Sequence, residues 1–318
     1  MSQIVTVFGA TGAQGGGVAR AALADPAQRF RVRAVTRKPD APAAKALRDA
    51  GAEVVAADLD DPASVGSALR GADAAFCVTS FWEHFSPERE LAQARAMAEA
   101  AAAAGVKHVV WSTLEDTRRF VPPGTPGWKV LGGRFNVPHF DAKGEADAFF
   151  AERGVPTTRL LTSFYWENLI HFGMQPQRGA DGVLQFVLPM GEARLPGIAV
   201  EDIGGCAYAV LARGAEFAGR AVGIAGEHLS GGEMARQLSE ALGERVRHVS
   251  PTFEQYAAFG FPGADDLANM FRFNHDFARE FCAARDVAAT RALHPRLQSF
   301  AAWLAANAKR IPVEPTKG

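Results

Sequence analysis

The stretch that decides the fold is Ile4-Val-Thr-Val-Phe8, followed directly by Gly9-Ala-Thr-Gly12-Ala-Gln-Gly15. The apolar run is typical of a buried strand, and the glycines open a segment of helical composition. In such a unit the first glycine makes the tight turn, the second lets a pyrophosphate approach the backbone, and the third permits close helix packing. The helix N-terminus adds free amides and a positive dipole end. The pattern predicts a dinucleotide-binding turn formed by Gly9, Thr11, Gly12, Ala13, Gln14 and Gly15.

The first half of the chain alternates short apolar runs with segments of helical composition. We predict strands at Ile4–Phe8, Arg31–Val35, Val54–Ala57, Ala74–Val78, His108–Trp111 and Thr157–Leu161. We predict helices at Gly17–Leu23, Pro42–Ala50, Pro62–Arg70, Pro87–Ala104 and Ala142–Arg153. Strands that alternate with helices indicate a parallel sheet covered on both faces. The predicted fold class is therefore α/β, a Rossmann-type doubly wound parallel sheet with a smaller C-terminal α/β lobe.

The rhythm changes after about residue 161, because prolines and glycines become frequent from Gln175 to Gly197. We predict two domains, a dinucleotide-binding domain over residues 1–161 and a substrate or partner lobe over residues 162–318. Parts of residues 198–226 are expected to rejoin the first domain. The irregular segment Phe120–Pro138 is interpreted as a surface insertion, with a cationic flap over the cofactor as the alternative.

Composition excludes several classes of protein. The net charge of −1 over 318 residues gives no electrostatic case for binding nucleic acid or an anionic membrane. The three cysteines lie far apart, which argues for a reducing compartment and against disulfides or a zinc site. The histidines have no metal-ligand spacing, so no metal is predicted. No stretch is apolar enough to span a bilayer, so we expect a cytoplasmic protein. We expect a monomer or a homodimer.

The residues after the second predicted strand discriminate between NAD and NADP. An NAD site usually has an acid there that accepts hydrogen bonds from the ribose 2′-hydroxyl. This chain has Thr36-Arg37-Lys38 instead. A guanidinium can hold a 2′-phosphate in a bidentate fork, whereas a carboxylate would repel it. The sequence therefore predicts NADP(H) as the cofactor, bound by Arg37 with help from Lys38; the alternative is that both are solvated loop cations.

Two further strand ends are expected to face the same ligand, since ligands of doubly wound sheets bind at the carboxyl ends of the strands. Asp58 closes the third predicted strand, where its carboxylate can accept from an adenine amino group while Leu59 packs on the ring. Thr79, Ser80 and Phe81 close the fourth strand, near the ribose and nicotinamide.

The catalytic position departs from that of a standard short-chain dehydrogenase, which uses Tyr-x-x-x-Lys on a helix. No tyrosine of this chain has a lysine four residues later. The sequence His139-Phe-Asp-Ala-Lys143 stands at the expected place, just before a predicted helix. Lys143 is predicted to bond the nicotinamide ribose, and His139 is either a general acid or a helix-entry residue. Ser112, at the end of the fifth strand, is the candidate for the motif's hydroxyl.

With these residues assembled, the chain resembles the NmrA-like family of atypical short-chain dehydrogenase/reductases, and within it a branch of NADPH sensors. The resemblance rests on the blocks Phe8–Gly16, Val35–Arg37, Gly51–Val55, His139–Glu145, Tyr165–Leu169 and Gly260–Phe273. It implies that the residues predicted above line an NADP site, and that Tyr165, Trp166, Glu167 and Asn168 flank the nicotinamide. Family members can carry extra lysines where this chain has Ala41 and Ala92, which implies fewer cations around the phosphates here.

Two functions remain open at this point. A redox sensor would bind NADPH or NADP and signal to a regulatory protein partner, which suits a cofactor site that lacks the catalytic tyrosine. A reductase would use Lys143, with or without His139, on a small carbonyl, quinone or enone. The resemblance allows the second function too, because some relatives reduce substrates without that tyrosine.

Overall fold

The computed structural model describes residues 3–313, which form two compact units. The first unit holds the chain up to Phe120 together with Pro138–Thr162 and Glu201–Val222. The second unit holds Val121–Val137, Ser163–Val200 and the chain from Gly223 onward. The predicted division after residue 161 as a boundary between folding domains stays a prediction.

The elements are numbered in chain order. The strands are β1 (Gln3–Val7), β2 (Phe30–Thr36), β3 (Glu53–Ala56), β4 (Ala74–Cys77), β5 (His108–Thr113), β6 (Thr157–Leu161), β7 (Phe164–Tyr165), β8 (Gln177–Arg178), β9 (Leu184–Val187), β10 (Leu195–Ile198), β11 (Ala221–Gly223), β12 (Glu227–Leu229) and β13 (Val246–Val249). The α-helices are α1 (Ala13–Leu23), α2 (Pro42–Asp49), α3 (Pro62–Leu69), α4 (Pro87–Ala103), α5 (Pro138–Glu152), α6 (Asn168–His171), α7 (Val200–Arg213), α8 (Gly231–Leu242), α9 (Phe253–Ala257), α10 (Ala264–Asp276), α11 (Ala278–Ala283), α12 (Val287–Leu293) and α13 (Phe300–Asn307). Short 3₁₀ turns occur at Phe81–Glu83, Thr117–Arg119, Gly214–Glu216 and Ala308–Arg310.

The first unit is built on a seven-stranded sheet of order β11-β6-β5-β4-β1-β2-β3. Strands β1 to β6 pair in parallel with their neighbours. The strand order reverses between β1 and β4, and this reversal point is where doubly wound sheets bind their ligands. The predicted fold class is confirmed, and the six predicted strands are all present within two residues of their predicted ends.

Helices cover the sheet in two layers. One layer buries apolar side chains of α3, α4 and α5, among them Val65, Met97 and Phe150, against the strands. On α1 and α7, Gly17 meets Gly204 so closely that a Cβ on Gly204 would lie 2.2 Å from the Gly17 carbonyl carbon. The two helix backbones therefore touch directly, because neither residue has a side chain at the crossing.

The predicted start of α5 at Ala142 was wrong by four residues. The helix begins at Pro138, because proline is tolerated at a first helical position, where its missing N–H would have no partner. His139 therefore lies inside the helix, one turn before Lys143, and not in the loop that precedes it.

The second unit contains two three-stranded sheets, β12-β10-β7 and β13-β9-β8. The irregular segment 121–137 belongs to this unit, and its side chains Phe135, Asn136 and Val137 are fully buried. The amide of Asn269 in α10 donates to the carbonyl oxygens of Asn136 at 2.6 Å and Lys129 at 2.8 Å. Most residues between 122 and 134 are exposed, so the segment lies at the surface, and α10 anchors its C-terminal end. The alternative of a cationic flap over the cofactor stays a prediction.

Candidate cofactor site

The turn between β1 and α1 has the backbone shape that its glycines imply. Gly9 has a φ of +62°, in the left-handed region that favours glycine. A Cβ on Gly15 would lie 2.4 Å from the carbonyl oxygens of Gly9 and Phe8, so only glycine fits there without a shift of the backbone. Each of these two glycines is therefore required by the local geometry.

The start of α1 fits a phosphate group. Gly12 precedes the first helical residue and has no side chain with which to cap the helix. The first amides of a helix have no acceptor within the helix itself, and for this reason helix N-termini are common binding sites for anions. Thr11, Gly12 and Ala13 are exposed. The donor set is backbone N–H on an exposed turn, which is suited to a pyrophosphate.

Hydrogen bonds join this turn to the ends of neighbouring strands. The hydroxyls of Thr11 and Thr36 lie 3.1 Å apart, which links the turn to the end of β2. The hydroxyl of Ser112, in β5, donates to the side-chain oxygen of Gln14 at 2.7 Å. The structure therefore brings Ser112 next to the turn, where it orients Gln14.

The candidate for the 2′-phosphate, Arg37, lies just beyond β2 and is engaged by a carboxylate. Its Nη2 is 2.6 Å from Oε2 of Glu83, which ends the 3₁₀ turn after β4. Both side chains are about half exposed. Lys38 is exposed as well, and its backbone amide donates to the Thr36 hydroxyl at 3.2 Å. The assignment of Arg37 and Lys38 to a 2′-phosphate stays a prediction.

Asp58 and Leu59 follow β3 at the same edge of the sheet. Asp58 is exposed, and one of its carboxylate oxygens accepts from the amide of Asp60 at 3.0 Å. Leu59 is partly buried and packs against the apolar core. Their contact with an adenine ring stays a prediction.

Lys143 is held in a buried network beyond the end of β4. Its ammonium lies 2.5 Å from Oε1 of Glu90 and donates to the hydroxyl of Thr79 at 2.7 Å. The Thr79 hydroxyl donates in turn to the same Glu90 oxygen at 2.5 Å. The side chain of Glu90 is 0% exposed and that of Lys143 is 10% exposed. The lysine is thereby fixed in a single position against the strand end.

His84 completes this network from its other side. The amide of Ser86 donates to Nδ1 of His84 at 3.0 Å, so a neutral imidazole carries its proton on Nε2. That nitrogen lies 3.5 Å from the second carboxylate oxygen of Glu90. Burial raises the pKa of Glu90, but Lys143, His84 and Thr79 outweigh burial and lower the pKa to about 2. Glu90 is therefore ionised at neutral pH and neutralises Lys143.

His139 lies one helical turn before Lys143, at the position of the missing tyrosine. It is 5% exposed. Its ring centroid is 4.7 Å from that of Trp82 and 5.8 Å from that of Phe81. Phe85, at the end of this aromatic group, is 46% exposed. It also has a φ of +54°, which is rare for a residue other than glycine. His139 is thus packed among aromatic rings.

A second carboxylate, Asp147, lies one turn after Lys143 on α5. It accepts from the hydroxyl of Thr113 at 2.7 Å and from the indole nitrogen of Trp111 at 3.0 Å. Burial is the main influence on its pKa and raises it to about 6, against the effect of these hydrogen bonds. Asp147 therefore supports the end of β5 and titrates well above an ordinary aspartate.

The four residues expected to flank the nicotinamide all lie in the second unit. Tyr165 ends β7 and Asn168 begins α6. Trp166 is 1% exposed and packs against Phe300, with ring centroids 5.3 Å apart. Glu167 accepts from the amide of Val200 at 2.9 Å and from the indole of Trp303 at 2.8 Å. Trp166 and Glu167 thus stabilise their own unit, and contact of the four with a cofactor stays a prediction.

Three residues of this site, Glu83, His84 and Glu90, were not predicted from the sequence. Glu90 did leave a signal, since it shares one face of α4 with the buried apolar residues Ala94, Met97 and Ala101. A charged residue on an apolar helix face requires a buried partner. Glu83 and His84 left no comparable pattern, because their roles depend on contacts with distant parts of the chain.

Within residues 3–313 no group of histidine, cysteine or acidic side chains has the arrangement needed to hold a metal ion. No helix in the described part of the chain is long and apolar enough to cross a membrane. Cys77, Cys206 and Cys282 are free thiols.

Comparison with known proteins places these features in context. The model of the NmrA-like family matches residues 1–304. The NmrA-like family domain-containing oxidoreductase FrzB of Cladobotryum sp is 29% identical over 294 residues, which cover 86% of this chain and 84% of FrzB.

Two solved structures show the same fold. The negative transcriptional regulator NmrA superposes with a TM-score of 0.77 at 20% identity, covering 97% of this chain and 95% of NmrA. NmrA has also been solved with NADP. Triphenylmethane reductase of Citrobacter sp. superposes with a TM-score of 0.72 at 21% identity, covering 97% of this chain and 99% of the reductase. That reductase has been solved with NADP(H).

Proposed function

Since the chain belongs to the NmrA-like family, we propose that it binds NADP(H) and acts as a redox sensor whose conformation or association with a partner follows the bound dinucleotide. The cofactor part of the proposal is supported by the uncapped glycine turn and by Arg37 at the end of β2. It is further supported by NmrA, a negative transcriptional regulator that has been solved with NADP.

One observation carries the choice of a sensor. The positive charge of Lys143, the lysine that would assist proton transfer, is balanced by the carboxylate of Glu90 at 2.5 Å. The residue one turn before Lys143 is His139, not a tyrosine. A reductase that relied on Tyr-x-x-x-Lys would need a hydroxyl there, with its pKa lowered by a free ammonium. The site thus keeps the groups for binding a dinucleotide and lacks the usual proton donor.

When bound, reduced nicotinamide would supply a hydride, and a sensor has to withhold it from solvent and solutes. The test mixes purified protein and NADPH with a panel of quinones, aldehydes and enones and follows the absorbance of the reduced nicotinamide. We expect binding by calorimetry and no oxidation above the rate without protein. Oxidation that is lost in the double variant Glu90→Gln/Lys143→Met, which leaves no uncompensated buried charge, would overturn the sensor and establish a reductase.

A reductase of a planar carbonyl compound or quinone is the second candidate, and the aromatic group beside His139 favours it. Phe85 is exposed and lies 5.8 Å from Trp82, centroid to centroid, in an edge-to-face arrangement. Aromatic rings of this kind stack well with planar ligands. His139 borders them and is a residue type able to donate a proton near neutral pH. FrzB, a relative over most of the chain, is named as an oxidoreductase.

Variants of this aromatic group distinguish the two candidates. Under the reductase hypothesis, Phe85→Ala should raise the KM for a quinone by a larger factor than it changes NADPH affinity, since an exposed ring is removed and the glycine turn is untouched. Under the sensor hypothesis there is no turnover for the substitution to change. Phe259→Ala, which removes a somewhat more exposed ring in the second unit, is the matched control.

A further inference from the structure

The ion pair between Arg37 and Glu83 crosses the place where a dinucleotide is proposed to lie. Arg37 follows β2 and Glu83 follows β4, and β1 lies between these two strands in the sheet. The 2.6 Å contact therefore spans the carboxyl end of β1, from which the glycine turn emerges. The guanidinium proposed to bind the 2′-phosphate is held by a carboxylate.

A 2′-phosphate and this carboxylate compete for Arg37. Each forms a charge-assisted hydrogen bond with the guanidinium, and the two anions repel each other at such short range. A dinucleotide without the 2′-phosphate has no charge at that position and does not compete. The ion pair therefore opposes the binding of NADP(H) and leaves the binding of NAD(H) unaffected.

We propose that Glu83 is a specificity-determining residue that holds Arg37 in the cofactor-free protein, and that the 2′-phosphate of NADP(H) displaces it. This inference rests on the proposed NADP(H) site and adds how that site is regulated. Displacement frees the end of the segment Phe81–Phe85, which carries the rings next to His139. Occupancy at the adenosine end is thereby transmitted to the nicotinamide end.

The segment Phe81–Phe85 is a short turn whose conformation should change when the contact between Glu83 and Arg37 is lost. The amides of Glu83 and His84 bond the carbonyl oxygens of Ser80 and Phe81, both at 3.1 Å, in a single short turn. Phe85 closes the turn with a φ of +54°. A backbone conformation of this kind is retained only where the surrounding contacts impose it.

The first experiment measures affinity with adenosine 2′,5′-bisphosphate and with ADP, by calorimetry on the full chain. Only the first probe carries a 2′-phosphate, and neither carries nicotinamide. In Glu83→Gln we expect bisphosphate binding to tighten by up to about fivefold, the size of a half-exposed ion pair, and to lose part of this gain in high salt. ADP binding should be unchanged.

Glu88→Gln is the matched control, because it removes the same charge from an exposed side chain nearby that contacts Ser86 and not Arg37. It should leave both affinities as in the wild type. Equal tightening of both probes in Glu83→Gln, equal tightening of the bisphosphate in both variants, or no tightening at all would overturn the proposal.

The second experiment follows hydrogen exchange of the amides from Glu83 to Ser86. The bisphosphate should speed their exchange in the wild type, ADP should not, and Glu83→Gln should exchange faster without any ligand. Unchanged exchange with the bisphosphate would overturn the link to the Phe81–Phe85 segment.

The two proposals fail in different ways. A wild type that binds neither NADPH nor the bisphosphate contradicts the NADP(H) site itself. A wild type that binds both, with a Glu83→Gln variant that is no different, contradicts only the role of Glu83.

Discussion

The carboxylate of Glu90 lies 2.5 Å from the ammonium of Lys143, and neither group has more than a tenth of its side chain exposed. Taking two charges out of water is costly, and the pair is tolerated because Thr79 and His84 add further polar contacts to the carboxylate. The arrangement makes the two charges mutually dependent, since either one alone would be buried without compensation.

The first prediction follows from this dependence. Glu90→Gln should lower the free energy of unfolding by about 3–5 kcal/mol, because it leaves the Lys143 ammonium buried and uncompensated. The double variant Glu90→Gln/Lys143→Met should recover much of the loss, since no charge then remains. Urea unfolding at neutral pH measures both effects.

Glu99→Gln provides the control on the same helix. Glu99 pairs with Arg153 at the same distance, 2.5 Å, but its side chain is 53% exposed. Its substitution should change stability by no more than about 1 kcal/mol. A Glu90→Gln variant as stable as Glu99→Gln would show that Glu90 is not needed to compensate the buried charge of Lys143.

The sequence predicted those parts of the site that depend on local pattern. The glycine turn and Arg37 are encoded within a few residues of one strand each, so strand, turn and charge could be read together. The start of α5 was misplaced because Pro138 suits both a loop and a first helical turn. The roles of Glu83 and Glu90 could not be predicted, because their partners lie 46 and 53 residues away in sequence and only the strand order brings them together.

The second prediction concerns stability between about pH 4 and pH 6.5, where two buried groups act in opposite directions. Burial raises the pKa of Asp147 from 3.8 to about 6. Its contribution to the free energy of unfolding is therefore fully present below pH 3.8 and is lost as the pH rises through 6. Burial lowers the pKa of His108 from 6.5 to about 4. Its contribution to the free energy of unfolding is therefore fully present above pH 6.5 and is lost as the pH falls through 4. Each shift corresponds to about 3 kcal/mol.

Single variants separate these opposed contributions. Relative to the wild type, Asp147→Asn should gain stability as the pH rises from about 4 to about 7, and His108→Gln should gain stability as the pH falls over the same range. Urea unfolding at several pH values measures both slopes. Parallel slopes in the two variants would contradict the assignment.

The third prediction tests the glycine turn. Gly15→Ala should weaken NADPH binding strongly or abolish it, because its Cβ would meet the carbonyl oxygens of Gly9 and Phe8 at 2.4 Å and displace the turn. Gly66→Ala in α3 is the control, since a Cβ there meets nothing within 4 Å. That control should bind NADPH normally. It should also unfold at a slightly higher temperature, because alanine stabilises a helix by about 1 kcal/mol relative to glycine at the same position. Normal binding by Gly15→Ala would place the cofactor elsewhere.

The fourth prediction concerns the choice between the two dinucleotides. Arg37→Ala should weaken NADPH binding by about 10- to 100-fold, the value of a charge-assisted hydrogen bond to phosphate, and leave NADH binding nearly unchanged. Arg48→Ala is the control, because Arg48 is also exposed but donates to the carbonyl oxygen of Pro39 from the end of α2. Calorimetry with both cofactors on both variants gives the comparison. Equal losses for NADPH and NADH in Arg37→Ala would show that the guanidinium supports the fold of the strand end and does not bind a 2′-phosphate.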